Sequence, residues 1–200
     1  MTIDTVRDAY SARSAEYIDL FGTVDVAADA DRQLIKVWSE SLTGSVLDVG
    51  CGPGQWTDFL VRSGVDAEGL DIVPEFLDYA RKRFPGVPYR CAGLPALGVP
   101  DASISGVLAW FSLIHLSPEE TTAAYLELAR VVQPGGTLLI GFFEGDDQVE
   151  FPHAVATATY RSVESISRDL ATVGFRVRSS TSRVDPGVRP LATVTAERVG

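Results

Sequence analysis

The stretch Val46-Leu47-Asp48-Val49-Gly50-Cys51-Gly52-Pro53-Gly54 decides how this chain folds. The apolar run from Ser45 to Val49 reads as a buried strand, and Pro53 to Ser63 reads as a helix closed by Gly64. Between them, glycines let the backbone turn sharply and come close to a ligand. The free N–H groups of the helix's first turn face the same space.

The same alternation continues outward. A second strand spans about Ala67 to Ile72, and a helix opens at Pro74 with Glu75 in its first turn. Phe76, Ala80 and Phe84 form its core-facing stripe. Arg81, Lys82 and Arg83 fall in the last turn, where cations favour the helix dipole, so this basic triplet is structural. Strands follow near Val87 to Cys91 and Ile104 to Phe111. Ser117, Pro118 and Glu120 form a capping box for a helix whose apolar face is Tyr125, Leu128, Ala129 and Val132. Pro134-Gly135-Gly136 ends that helix, and Thr137 to Phe143 makes a fifth strand. Ser162 to Val173 is the last helix, and Phe175 to Ser180 pairs with Leu191 to Glu197 around a turn at Asp185-Pro186-Gly187. The pattern predicts an α/β fold: a doubly wound, Rossmann-like seven-stranded sheet, mostly parallel with a C-terminal antiparallel hairpin and helices on both faces. Ile3 to Leu20 and Asp29 to Leu42 read as helices added ahead of the sheet. One domain over 1–200 is expected, with 1–43 a helical lid and 44–200 the core.

Composition narrows the function. The 200 residues are 46% hydrophobic and 22% charged, ordinary for one globular domain. No run of about 18 apolar residues exists, so no membrane partner is expected. Met1 to Tyr10 carries Asp4 and Asp8 and no apolar signal core, which points to a cytoplasmic protein. A net charge of −10 argues against nucleic acid, whose phosphates require a basic face. Cys51 and Cys91 match no zinc spacing, so free thiols and no metal are expected. Cys51 meets the loop's need for a small side chain.

The chemistry concentrates at neighbouring strand ends. Asp71 ends the second strand, where a carboxylate accepts hydrogen bonds from both hydroxyls of a ribose. A dinucleotide fingerprint requires G-x-G-x-x-G, but its third glycine would fall on Gln55 or Thr57; the loop here is G-x-G-x-G. Asp48, ahead of the loop, would repel a pyrophosphate and suit a cationic amino-acid group. The ligand is therefore expected to be a nucleoside other than NAD.

These residues resemble the first motif of class I S-adenosylmethionine-dependent methyltransferases. Gly69-Leu70-Asp71-Ile72 resembles their second, Leu108 to Leu116 their fourth-strand motif, and Val132-Gln133-Pro134-Gly135-Gly136-Thr137-Leu138 the turn before their fifth strand. The resemblance covers residues 45–142 and extends more weakly to the C-terminus. It implies S-adenosylmethionine as cofactor and S-adenosylhomocysteine as product. Gly50, Cys51, Gly52 and Gly54 would lie against the amino-acid and ribose portions, Asp71 on the ribose hydroxyls, and Ile72 beside adenine. Relatives often place an acid or amide after the third strand. This chain has Cys91-Ala92-Gly93-Leu94, so a backbone group of Ala92 to Leu94, or a water, would serve instead. Trp110 would border the methionine side. Tyr10 and Tyr17 resemble aromatics that close over the cofactor in many relatives; packing at helical spacing explains them equally well.

The acceptor is less legible. Methyl transfer needs alignment and exclusion of water, and a general base only where the acceptor must lose a proton. His115 and His153, the two histidines, both follow strand ends. Each is a candidate base or a packing residue. Glu144 is a third candidate, beside Asp146, Asp147 and Glu150. Trp110, Phe111, Phe142, Phe143, Phe151 and Tyr160 point to a partly apolar small-molecule acceptor, with oxygen or nitrogen favoured over carbon as the attacked atom. Asp4 to Leu20 and Glu144 to Tyr160 are expected to close over it. A cofactor-binding enzyme of a non-methylating reaction, or a non-catalytic sensor or partner protein, stays open as an alternative. A monomer or homodimer is expected.

Overall fold

A computed structural model describes residues 2–200; Met1 lies outside them. The core is a seven-stranded sheet of β1 (Val46–Val49), β2 (Ala67–Asp71), β3 (Tyr89–Cys91), β4 (Ile104–Trp110), β5 (Val132–Phe143), β8 (Phe175–Arg183) and β9 (Leu191–Arg198). The spatial order is β3-β2-β1-β4-β5-β9-β8. The first five strands run parallel, and β9 enters antiparallel between β5 and β8. The order reverses between β1 and β4, and in such sheets ligands bind in the crevice at the carboxyl ends of those strands.

Helices α1 (Ile3–Ala12), α2 (Ser14–Phe21), α3 (Asp29–Glu40), α4 (Gln55–Arg62), α5 (Pro74–Arg83), α6 (Pro118–Val131) and α7 (Val163–Thr172) surround the sheet. Ile35 and Trp38 of α3 and Trp56 and Leu60 of α4 bury against Val46, Leu108 and Leu139 on one face. Tyr125, Leu128, Ile166 and Leu170 of α6 and α7 cover Leu47, Val107, Leu138, Ile140 and Val194 on the other. This is the doubly wound, two-faced sheet expected from the alternation. Ser117 accepts from the Glu120 N–H while Glu120 reaches back to the Ser117 N–H, the capping box read from the sequence. No helix among the described residues is long and apolar enough to cross a membrane.

Two local expectations are corrected. The single helix expected over Ile3 to Leu20 breaks at Arg13. Seven residues along a continuous helix span about 10 Å, whereas the break brings the Tyr10 and Tyr17 ring centroids to 5.5 Å and sets both against Phe76 of α5. Tertiary packing of the aromatics outweighs helical continuity here. Pro134-Gly135-Gly136 does not separate helix from strand: Val132 already pairs with Ile104, and the register slips before Gly106 meets Thr137. The tripeptide is therefore a bulge inside β5. The stretch Glu144 to Tyr160 holds a short ribbon, β6 (Glu150–Phe151) with β7 (Ala158–Thr159), whose Thr159 N–H donates to the Ile114 carbonyl.

Candidate active site

The cleft forms where β1, β2 and β4 end. Gly50 turns the chain with φ 74°, and a Cβ there would lie 2.3 Å from the Ser112 Cβ, so only glycine lets the loop after β4 close beside it. The Gly52 N–H donates to Asp71 Oδ2 at 2.8 Å, and the Val73 N–H donates to Oδ1 at 2.8 Å. Asp71 is 7% exposed. Burial raises its pKa, opposed by these N–H donors. A carboxylate offers roughly four acceptor positions, so about two stay free for a ribose edge. Ile72 lies beside Gly93, where a Cβ would meet Ile72 Cγ2 at 2.5 Å.

Two cavities open over this framework. The smaller, of about 120 Å³, is lined by Tyr10, Tyr17, Gly50, Gly52, Asp71, Ile72, Ala92, Gly93, Leu94, Trp110 and His115. The larger, of about 510 Å³, shares Tyr10, Tyr17, Gly50, Gly52, Trp110 and Phe111 with it and adds Asp48, Cys51, Gln55, Trp56, Phe143 and His153. Small-molecule sites typically occupy about 300–1,000 Å³. The smaller space alone falls below that range, and the larger lies within it.

Two of the expected site residues lie outside the walls of these cavities. Gly54 lines neither cavity. Its φ is 86°, and a Cβ there would meet the Tyr89 hydroxyl at 2.6 Å and Ala80 Cβ at 2.8 Å, so it serves the packing of loop against α5 and β3. Glu144 also lines neither cavity; its N–H donates to the Pro190 carbonyl and it bridges to Arg161. Asp48 is 1% exposed and accepts from Thr57 Oγ1 at 2.7 Å; burial raises its pKa to about 7. Cys51 is buried, and burial raises its thiol pKa.

The two histidines separate. His115 Nδ1 lies 2.8 Å from the Thr157 carbonyl, which only accepts, so Nδ1 carries the proton. Nε2 is then the acceptor for the Tyr10 hydroxyl at 2.9 Å. Both nitrogens are occupied, and the pair ties α1 to the loop after β4 and to the β6–β7 connection. Burial lowers the His115 pKa. His153 stands 5.3 Å from it, ring to ring, on the larger cavity. Its Nδ1 is buried without a partner, and burial first, then His115, Arg189 and Arg13, lowers its pKa to about 4.

Sequence reasoning missed several wall residues. Ser112 Oγ and Gln55 Oε1 are buried without partners, one on each cavity. No periodicity marks either. Phe76 was legible only as core. Phe111 takes φ 55°, an uncommon left-handed conformation for an aromatic residue, and lies with Trp110 on the walls of both cavities. Among the described residues no cluster of three metal-ligating side chains occurs.

The loop, the Asp71 carboxylate with free acceptor positions and the unpartnered polar atoms suit a nucleoside bearing an amino-acid arm. A family model described as a methyltransferase domain matches residues 46–136. The malonyl-[acyl-carrier protein] O-methyltransferase of Serratia marcescens is 31% identical over 122 residues, 59% of this chain and 47% of its own length. The demethylmenaquinone methyltransferase of Tropheryma whipplei is 37% identical over 112 residues, 54% and 46% of the two lengths. The chain thus spans about half the length of the curated relatives it matches. A solved structure of the Burkholderia thailandensis 1,6-didemethyltoxoflavin-N1-methyltransferase, with S-adenosylhomocysteine bound, superposes with a TM-score of 0.77. The match covers 98% of this chain and 88% of that one at 18% identity, a likeness of fold. Over residues 46–136 the chain is similar to the methyltransferase domain, and it shares its fold with a methyltransferase solved with S-adenosylhomocysteine bound.

Proposed function

We propose that the protein transfers a methyl group from S-adenosylmethionine to an oxygen or nitrogen of a small, partly apolar acceptor. One observation carries this reading: the cavity beside Asp71 and the glycine loop shares a wall with a larger, open one lined by Trp56, Trp110, Phe111 and Phe143. An open, reachable second space favours an enzyme over a sensor or partner protein.

Bound cofactor supplies an already activated methyl on its sulfonium; the chain's own residues bind, align and exclude water. Asp71 would hold the ribose hydroxyls, Ile72 and Ala92 to Leu94 the adenine, and Asp48 the ammonium side. His153 is favoured over His115 as the proton acceptor because no hydrogen bond engages its ring, whose one buried nitrogen is Nδ1, and because the ring borders the acceptor space. A base with a pKa of about 4 is fully neutral near pH 7, and it matches a phenolic hydroxyl better than an aliphatic alcohol. Residues before 44 would act as a lid on the 44–200 core, latched through Tyr10 and His115, with the β6–β7 ribbon closing from the other side. The acidic charge and the two free thiols support a cytoplasmic enzyme with a small-molecule substrate rather than nucleic acid.

Calorimetry with S-adenosylmethionine, S-adenosylhomocysteine and NAD tests the cofactor, and a labelled-methyl screen of cell extract finds the acceptor. Binding of the first two without NAD is expected; tight NAD binding overturns the reading.

A further inference from the structure

Resting on that assignment of the larger cavity, we propose that the acceptor is an elongated, uncharged, mainly apolar molecule whose tail fills a third compartment between α3 and the β8–β9 hairpin.

The compartment is a cavity of about 370 Å³. It shares Asp31, Trp110, Phe111, Arg183 and Leu191 with the acceptor cavity. The two therefore meet at one set of side chains. Its existence follows from how the sheet is covered. Ile35 and Trp38 place α3 over β1, β4 and β5, while the hairpin is covered on its other face, where Val194 and Ala196 pack into the core with Ile166 and Leu170 of α7. The face of the hairpin toward α3 is left with space above it. Leu34, Leu191 and the two aromatics make its wall apolar. Thr181 and Thr193 hydrogen-bond each other at 2.7 Å, which reduces their need for a polar ligand.

Charge selects against an anion. The acceptor cavity carries Glu16, Asp31, Asp48 and Asp185 against Arg13 and Arg183. Both arginines are committed: Arg13 to Glu16 at 2.8 Å, and Arg183 to the two oxygens of Asp31 at 2.7 and 3.0 Å. His153 is neutral near pH 7. A carboxylate or phosphate would meet acids with no unpaired cation among the lining residues to receive it. The entrance matches an apolar guest, since Leu20, Phe21, Val26 and Val188 all stay exposed at its rim. The Arg183–Asp31 pair stands at the junction of the two spaces, where a tail would pass.

The test is calorimetry on the full chain with 4-alkylphenols from ethyl to octyl and with octanoate, each with and without S-adenosylhomocysteine. Affinity should rise about fourfold per methylene buried until the compartment is full, and octanoate should bind at least about tenfold more weakly than octylphenol. Ala30→Trp, at an exposed position of α3 on the compartment wall, should weaken octylphenol about tenfold or more and leave ethylphenol and S-adenosylhomocysteine unchanged. No dependence on chain length, a preference for octanoate, or an equal effect of Ala30→Trp on short and long phenols overturns the proposal. S-adenosylhomocysteine binding is read separately. Its loss sinks the methyltransferase reading, and its presence without a chain-length effect sinks only the tail compartment.

Discussion

The Asp71 side and the His153 side of this cleft are held together by contacts of very different range along the chain. Asp71 takes its hydrogen bonds from Gly52 and Val73, within one β–α–β unit. On the acceptor side, Arg183 meets Asp31 across 152 positions, and His153 stands against His115 and Phe143. A wall built by neighbours in sequence is fixed by local turn chemistry. A wall built by distant segments depends on how the lid, the ribbon and the hairpin dock, and it can change without disturbing the nucleoside half.

The largest effect should come from the acceptor side. His153→Ala should reduce turnover roughly 100- to 10,000-fold if its imidazole takes the acceptor's proton, with cofactor affinity unchanged. Protonation removes the lone pair, so turnover of the intact enzyme at saturating cofactor should stay level from pH 8 to about 5 and fall as pH approaches the His153 pKa of about 4. His115→Ala should instead weaken lid closure. Turnover within a few-fold of wild type in both variants would leave alignment alone as the source of rate.

Next in size is Asp71→Ala. Losing charge-assisted bonds to the ribose should weaken S-adenosylhomocysteine by about 1.5–3 kcal/mol, roughly 10- to 150-fold. The variant also strips the acceptor from the Gly52 and Val73 N–H groups, so melting temperature is measured beside affinity. Unchanged affinity would mean that the nucleoside lies elsewhere and that the two walls do not divide as described.

Tyr10→Phe probes the joint between the walls. It removes one hydrogen bond to His115, worth about 0.5–1.5 kcal/mol, or roughly 2- to 12-fold in cofactor affinity. Hydrogen exchange in α1 and in the β6–β7 ribbon should slow when S-adenosylhomocysteine binds and slow less in the variant. Equal exchange with and without ligand in both segments would argue that neither closes.

The smallest effect belongs to Asp48. Its folded pKa of about 7 lies above the ordinary 3.8 because of burial, so it is mainly protonated at pH 6 and ionised at pH 8. A cationic amino-acid group prefers the ionised form, so affinity for S-adenosylmethionine should rise a few-fold over that interval and become flat in Asp48→Asn. The ligand-free protein should lose stability as pH rises from about 4 to about 7, where the folded carboxyl holds its proton and the unfolded one has released it, and lose little more above that. An affinity that falls with pH would place the ammonium away from Asp48.

Much of the fold could be read from local signals. Gly50 and Gly52 after an apolar run, Ser117 with Glu120, and Ser162 ahead of α7 each name a turn or cap whose hydrogen bonds close within a few residues. Their positions hold because nothing distant competes with them. The break at Arg13 and the bulge at Gly135 were not legible, because each is set by what the segment packs against: Phe76 in one case and the register of β4 in the other. Gly54 shows the limit within a motif. Its place in G-x-G-x-G suggested a ligand contact, whereas its missing Cβ makes room for Tyr89 and Ala80.

The sequence by itself determined the doubly wound core, the glycine loop and the carboxylate at the end of β2, since strand, turn and helix signals act over a few residues and their spacing survives any arrangement of the rest. Only the tertiary structure separated His115 from His153, because the distinction lies in hydrogen bonds to Tyr10 and Thr157 that sequence distance conceals. It alone set Glu144 outside the walls of the two cavities and brought Arg183 of the hairpin against Asp31 of α3. Contacts of that kind form only after the chain has collapsed, where burial and shape, not neighbours in sequence, choose which side chains meet.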